Sequence, residues 1–398
     1  MSRRVHSLTN RNAIKELRYV FLIFMFSSEK SRVTDARFRK MCAANWFLHL
    51  YVFSMLPLLA AQGKALGAGP AVVGWAVMAF AFGMVLPGPL GASLMERRSR
   101  KGVFLRAMWF VGLIPTLGYA ALSSVEWLVL LHGLQGMAFG VAQIALGTTL
   151  INDILPSCQR NRGDVRYAWA GRLGIPMGLL AGQVLVQYLP LAACWWWTLW
   201  PCLFAFLLVA QVEVPIKAPV KVPLFTLDRF FLPRSWHLSL TLFAAPWLLG
   251  RVVGTTHCTA LELLLLTVGV VVAGLGRKIP RRHMSGLLPV VSAYGCLLLA
   301  LFGQSLWGSL HSTLCPLLVG IGVGAVSSQH LAAWVHSAEH CQRGTAQSTY
   351  MLSWRMAFAL GFATTACRSL PPGVTDALLC MACALACCLR ILKFTVKK

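Results

Sequence analysis

Residues 92–101 read ASLMERRSRK, which places four basic residues and one acid within ten positions. Long apolar runs lie on both sides of this stretch, at 71–93 and 103–122. A run of about twenty apolar residues crosses the hydrocarbon core of a bilayer as a helix. Barrel strands, in contrast, are shorter and alternate in polarity. The stretch is therefore predicted to be a charged loop between two membrane-spanning helices.

The rest of the chain repeats this pattern of apolar runs and charged loops. Hydrophobic residues make up 57% of the 398 residues and charged residues 12%, about half of the share that is usual in globular proteins. The sequence thus predicts an all-α polytopic membrane protein. Its twelve predicted spans cover residues 42–61, 71–93, 103–122, 126–150, 166–188, 191–211, 236–255, 258–276, 285–304, 309–334, 345–367 and 373–392.

The distribution of lysine and arginine predicts the orientation of these spans, because both accumulate on cytoplasmic loops. With the N-terminus inside, the outer loops receive only Lys64, Arg251 and Arg368. Both termini are therefore predicted to be cytoplasmic, in a bacterial inner membrane, and residues 92–101 anchor their loop on that side. The same rule accounts for the net charge of +24, so no nucleic-acid partner is expected.

Residues 1–40 form a basic extension that contains ten lysines and arginines. Its apolar stretch YVFLIFMF is too short to span a bilayer. The extension is either an interfacial helix or part of an overlong reading frame whose functional start lies near Met41. The remaining chain is predicted to form a six-helix half at 41–211, a cytoplasmic linker at 212–235 and a second six-helix half at 236–398.

Two halves are predicted because identities recur at nearly one offset. A shift of 183 residues aligns the sequence CQR at 158–160 with CQR at 341–343. The same shift aligns Tyr167 with Tyr350, Arg172 with Arg355 and Gly178 with Gly361. A nearby shift of 181 aligns residues 92–101 with AGLGRKIPRR at 273–282.

The loop at 92–101 resembles a motif of the major facilitator superfamily of secondary transporters. Between its second and third helices, that family has Gly, three residues, Asp, a basic residue, one residue, Gly and two basic residues. The spacing is kept here as Ala92, Glu96, Arg97, Ser99, Arg100 and Lys101. Small residues replace both glycines and glutamate replaces the aspartate.

The fourth and fifth predicted helices carry two further motifs of this family in altered form. The fourth keeps the Gln-Gly pair as Gln135 and Gly136, with His132 in place of an arginine. The fifth keeps Gly174, Pro176 and Gly178 with changed spacing. The resemblance covers about residues 41–395 and implies the fold of that family, with twelve transmembrane helices in two pseudo-symmetric halves.

The resemblance also implies a conformational gate. The acid of the loop would be Glu96, which would cap helix eleven near residues 344–347, and a carboxylate at a helix N-terminus stabilises by about 0.3–1 kcal/mol. The acid that ends helix four would be Asp153, which would meet Arg97 or Arg100, and Lys101 completes the set of gate residues. The alternative is that the loop serves only as a cytoplasmic anchor.

Two arginines are the strongest candidates for substrate binding. Arg172 and Arg355 lie well inside the fifth and eleventh spans, at symmetric positions. An ionisable residue within a span is costly and usually faces a cavity. Two facing cations would hold an anionic substrate by charge-assisted hydrogen bonds. The alternative is that each arginine binds a backbone carbonyl or reaches toward the cytoplasmic side.

Further candidates are polar residues in other spans. The predicted cavity liners are Gln135, Gln143, Gln329, Tyr350 and Trp354. Glu262 is the leading candidate for carrying a proton, unless it lies near the outer surface as an ion-pair partner of Arg251. His132 either titrates near neutral pH or is a hydrogen-bonded structural residue.

These features predict transport of a small solute by alternating access, with an anion as the candidate substrate and protons as the candidate coupling ion of a symporter or antiporter. The alternatives are efflux of drugs or transport of sugars on the same fold and, less favoured, a non-transporting receptor. The expected partners are a small-molecule substrate and the lipid bilayer, and the expected state is a monomer.

An enzyme is not expected, because the sequence lacks a Ser-His-Asp order, an HExxH motif and a phosphate loop. No cofactor or metal is predicted either. Most of the cysteines lie inside apolar runs, where a free cysteine behaves as a small hydrophobic residue. Helix packing is therefore favoured over metal or redox chemistry for Cys380 and Cys383.

Overall fold

The computed structural model describes residues 36–122, 124–150, 154–156, 159–214, 230–255, 258–276, 288–307, 311–339, 342–368 and 373–396, together with Pro223 and Phe225. These residues form helices and connecting loops, and none of them lies in a β-strand.

The described residues of the first half form six long helices. They are α1 (Ala36–Ala65), α2 in two segments (Pro70–Val85 and Gly88–Arg97), α3 (Arg100–Ala120), α4 (Val125–Ile144, continued by the π-helical turn Ala145–Leu150), α5 (Arg160–Tyr188) and α6 (Leu191–Ala210). Proline lacks the N–H that a helix interior needs, and α2 is interrupted at Pro87.

The second half repeats this arrangement. Its helices are α7 in two segments (Trp236–Leu242 and Ala244–Val253), α8 (Ala260–Gly276), α9 (Leu288–Trp307), α10 (His311–Ser337), α11 (Arg343–Ala366) and α12 (Val374–Val396). Each of the twelve predicted spans overlaps one of these helices, and no end differs by more than six residues. Pro246 lacks the N–H that would bond the Leu242 carbonyl, which accounts for the break in α7.

Seven helical stretches in the described residues are long and apolar enough to cross a membrane. They lie in α1, α2, α3, α4, α6, α10 and α12. The second segment of α7, helix α8 and the stretch Leu288–Gly303 of α9 are apolar but shorter. Two full-length helices belong to neither group, α5 and α11, and these carry Arg172 and Arg355.

The two arginine-bearing helices pack in equivalent ways in the two halves. Helix α5 lies against α1, and α11 lies against α7. A Cβ added at Gly178 of α5 would lie 2.6 Å from the Leu50 carbonyl oxygen of α1. A Cβ at Gly361 of α11 would similarly collide with the Trp247 carbonyl oxygen of α7. The sequence repeat therefore corresponds to a repeat in packing.

The halves meet along α2 with α11 and along α5 with α8. At one end of the first contact, a Cβ on Gly74 would lie only 3.1 Å from the Cβ of Ala366. On the predicted cytoplasmic side, part of the segment between the halves also packs against both of them. Phe230 lies against Gly88 of α2, and the Leu232 N–H donates to the Thr349 hydroxyl of α11 at 2.9 Å.

Candidate functional site

Arg172 crosses the interface between the halves. Its Nη2 donates to the Ser327 carbonyl oxygen of α10 at 2.8 Å and to the Tyr350 hydroxyl of α11 at 3.0 Å. Its guanidinium carbon also lies 5.1 Å from the centre of the Trp169 ring. The side chain is only 8% exposed, and its Nε and Nη1 have no hydrogen-bond partner among the described residues. Part of this cation is therefore buried without an acceptor.

Arg355 is buried among aromatic rings that belong largely to the opposite half. Its guanidinium carbon lies 4.8 Å from the ring centre of Phe53 on α1, 4.9 Å from that of Phe139 on α4 and 5.8 Å from that of Trp354. Cation–π contacts of this kind stabilise by about 0.5–2 kcal/mol. The residue is 5% exposed, and within the described chain no hydrogen bond or ion pair reaches its guanidinium.

Both arginines line one small cavity between the halves. The polar residues that share it with them are Asn45, His49, Gln347 and Tyr350, and Trp354 forms part of its wall. The cavity has a volume of about 30 Å³, which is space for one or two water molecules and not for a solute. The structure is therefore closed around this site, and a solute would require the halves to separate.

Helix α1 contributes Asn45 and His49, which lie one turn apart. The Asn45 amide donates to the Tyr167 carbonyl oxygen at 2.9 Å, and Gln143 donates to the Asn45 side-chain oxygen at 3.1 Å. Since a carbonyl oxygen can only accept, the His49 Nδ1 donates to the Asn45 carbonyl at 2.8 Å. The cavity thus has a wall of fixed, neutral polar groups opposite the cations.

The predicted cavity liners separate into two groups. Tyr350 and Trp354 line the cavity, and Gln143 reaches it through Asn45. Gln135 and Gln329 lie away from it. Gln329 donates to the Pro289 carbonyl oxygen of α9 at 2.9 Å, within the second half.

Gln135 belongs to a buried hydrogen-bonded chain inside the first half. The Tyr119 hydroxyl lies 3.1 Å from the His132 Nδ1, which lies 3.0 Å from the Gln135 side-chain oxygen. The Gln135 amide nitrogen then donates to the Tyr51 hydroxyl at 3.2 Å. His132 is therefore hydrogen-bonded within the first half, and one small cavity touches both it and Arg355.

Glu262 lies at the beginning of its span and not deep within it. Glu262 is in the first turn of α8, where its carboxylate accepts the Thr259 N–H at 2.8 Å while its own N–H donates to the Thr259 hydroxyl at 3.2 Å. This reciprocal pair is a capping box. The alternative partner, Arg251, is instead paired with buried Asp376 at 3.2 Å.

We expect Glu262→Gln to leave both stability and transport unchanged. A capping box accepts Gln in place of Glu, so the helix end is preserved, whereas a proton carrier would lose its function. The measurement is pH-gradient-driven uptake in proteoliposomes together with thermal unfolding. A loss of pH dependence at unchanged stability would return Glu262 to the list of proton carriers.

The predicted gate is only partly within the described chain. Lys101 does not act between the halves, because its Nζ donates to the Ala210 and Val212 carbonyl oxygens at 2.6 and 2.9 Å and so caps the end of α6 in its own half. Arg97 and Arg100 lie where α2 ends and α3 begins. The Glu96 side chain and Asp153 lie outside what the structure describes, and the gate contacts of these two acids remain a prediction.

A buried acid near the start of α5 was not among the predicted site residues. Asp164 on α5 is 1% exposed, and its Oδ1 has no hydrogen-bond partner among the described residues. Arg343 at the start of α11 and Arg160 on its own helix lie near enough to interact with its charge. An acid in the arginine-rich stretch 160–166 was the available signal.

Comparison with known proteins agrees with this architecture. The sequence model of the Major Facilitator Superfamily matches residues 41–362, so the chain belongs to that family and is a membrane transport protein. No curated protein matches the sequence.

Two solved structures of transporters share the fold. The human organic anion transporter MFSD10 (TETRAN) superposes with a TM-score of 0.62 at 18% identity, covering 89% of this chain and 100% of that one. A bacterial homologue of the iron transporter ferroportin, in an outward-facing state, superposes with a TM-score of 0.66 at 14% identity, covering 91% and 100%. At these identities the likeness concerns the fold alone.

Proposed function

We propose that the protein is a secondary transporter that moves a small anion by alternating access, with the anion held between Arg172 and Arg355. The proposal is carried by the burial of Arg355. Its guanidinium group lies at the interface without a counter-ion among the described residues. A buried charge without a partner is strongly unfavourable. An anionic substrate would supply the missing charge and the missing acceptors.

The geometry of the guanidinium group favours carboxylate or phosphate as the bound chemical group. Arginine presents its N–H groups in a planar fork that matches either group with two parallel hydrogen bonds. Arg172 keeps two nitrogens available while its Nη2 is held by Ser327 and Tyr350. Substrates of such folds bind near the membrane midplane, between repeats that move against each other.

We further propose that both termini face the cytoplasm of a bacterial inner membrane and that any coupling proton is carried at His132. The basic loops support the first statement. The second rests on the cavity that His132 shares with Arg355, whereas Glu262 is committed to its capping box.

The direct test is uptake into proteoliposomes from a panel of phosphate, succinate, benzoate, glucose and ethidium. Saturable uptake of at least one of the three anions, and thermal stabilisation of the protein by the same anion, are the expected results, because a ligand that binds the folded state raises its stability. Uptake of glucose or ethidium alone would favour the sugar or drug alternative. Binding of an anion without uptake would indicate a receptor.

The buried acid Asp164 supports closure of the predicted cytoplasmic side. Because Arg343 belongs to the other half, Asp164→Asn should weaken this closure by about 1 kcal/mol, a shift of about fivefold in the population of closed molecules. Crosslinking of cysteines placed at the facing ends of α5 and α11 measures that population. The matched control is Glu339→Gln, since the Glu339–Arg234 pair is exposed at 3.7 Å and contributes little. Equal crosslinking in both variants would remove Asp164 from the closing contact.

A further inference from the structure

A groove on the lipid-facing side of the first half lies apart from the interface between the halves. It has a volume of about 520 Å³ and is formed by the second segment of α2, by α3 and by α4. Its walls are apolar and face outward, with Phe110 58% exposed and Leu134 47% exposed. In a membrane protein such a surface lies in contact with the hydrocarbon chains of lipids.

Two arginines line the groove at the end that lies on the predicted cytoplasmic side. Arg98 directly follows α2, and Arg106 lies in the second turn of α3. Both side chains are exposed, and neither makes a hydrogen bond or ion pair with any residue in the described ranges. Arginines in this position extend their charged groups toward the headgroup layer, where each binds a phosphate through its planar fork.

The groove runs far enough along α4 to hold an acyl chain. Along α4 its walls run from Val141 to Leu131, a rise of about 15 Å at 1.5 Å per residue. The hydrocarbon core of a bilayer is about 30 Å thick, so this wall is long enough to hold much of one acyl chain.

We propose that this groove binds one anionic phospholipid, with its phosphate between Arg98 and Arg106 and an acyl chain against Phe110 and Leu134. The topology proposed above places this lipid in the cytoplasmic leaflet. The apolar walls distinguish a lipid from free phosphate, which would use only the two cations. The positive charge of the two arginines favours an anionic lipid over a zwitterionic one.

The test compares lipid retention by the purified full-length protein, measured by native mass spectrometry with equimolar phosphatidylglycerol and phosphatidylcholine. The wild type should retain phosphatidylglycerol preferentially. The double variant Arg98→Gln, Arg106→Gln should lose this preference by at least about tenfold, which corresponds to about 1.4 kcal/mol. The matched control is Arg234→Gln, which removes an exposed arginine that is already paired with Glu339 and should change nothing. Unchanged preference in the double variant would overturn the proposal.

A second pair of measurements separates the lipid from a bare anion. Ala138→Phe should fill the groove and lower retention of both lipids. If that variant does not fold, Leu134→Asn at an exposed position serves the same purpose. Inorganic phosphate added at millimolar concentration should not displace phosphatidylglycerol. Displacement by phosphate, with retention unaffected by either groove variant, would show a surface anion site and would contradict a lipid site.

Discussion

Replacing Arg355 with glutamine is expected to lower anion affinity by at least about 100-fold while the protein remains folded. Two charge-assisted hydrogen bonds contribute about 1.5–3 kcal/mol each, and about 1.4 kcal/mol corresponds to a factor of ten. The unliganded protein should lose little stability, because removal of a buried charge that has no counter-ion within the described chain offsets the loss of the cation–π contacts. Affinity and stability should therefore change independently.

A conservative variant and a control separate binding from packing. Arg355→Lys keeps the charge and loses the planar fork, so its affinity should lie between those of the wild type and Arg355→Gln. Arg251→Gln provides the matched control, since Arg251 is equally buried but paired with Asp376 at 3.2 Å. That variant should lose stability, because the Asp376 charge remains buried, and it should show no selective loss of anion binding.

Replacing Arg172 with glutamine should lower anion affinity by a comparable factor if both symmetric arginines bind the anion. Its replacement by glutamine also removes the bonds to Ser327 and Tyr350, so the balance between open and closed states should shift as well. Affinity is measured by calorimetry and thermal shift with the anion from the panel that most stabilises the wild type. Wild-type affinity in a stably folded Arg172→Gln, Arg355→Gln double variant would falsify the proposal that the two arginines hold the anion.

The sequence was sufficient to predict the helices and their repetition, because both depend on properties that are local in the chain. Apolar length determines where a helix can cross a bilayer, and the twelve predicted spans each overlap a helix. The offset of 183 residues also located Arg172 and Arg355, since equivalent positions in two repeats meet at the axis between them. Both arginines indeed line one cavity.

The direction of individual side chains could not be predicted in the same way. Gln143 and Gln329 are both polar residues inside spans, yet only Gln143 reaches the cavity, through Asn45. The difference depends on how each helix is rotated about its axis relative to its neighbours. The identity of a single residue does not determine that rotation. Glu262 illustrates a local signal that was overlooked, since Thr259 three residues earlier is the sequence mark of a capping box.

The residues that the sequence analysis missed are neutral or lie close to span ends. Asn45 and His49 are four residues apart on α1, a spacing that places two polar groups on one face of a helix. That spacing was the available signal. Asp164 was hidden among arginines whose total charge indicated only the orientation of the loop, and Arg343, whose charge acts on it, is distant in sequence.

The glycine that follows Gln135 is required by the close approach of α4 to α2. A Cβ added at Gly136 would collide with the backbone of Phe80, whereas one added at Gly133, three residues earlier on the same helix, would meet the Ala79 Cβ at an ordinary 3.5 Å. A Cβ added at Gly83 of α2 would likewise collide with the Gly133 carbonyl oxygen. Small residues of this kind allow membrane helices to pack backbone against backbone.

We therefore expect Gly136→Ala to destabilise the protein by about 1–3 kcal/mol, the usual cost of overpacking. Gly133→Ala is the matched control and should be neutral or slightly stabilising, because alanine favours helix by up to about 1 kcal/mol relative to glycine. Thermal unfolding of both purified variants measures the difference. Gly136→Ala should also weaken anion binding, since Phe139, one turn further along α4, packs on the Arg355 guanidinium and would move with the helix. Equal melting temperatures for the two variants would show that α4 can move away from α2 without loss of stability. The close approach of these helices at Gly136 would then not be a determinant of the fold.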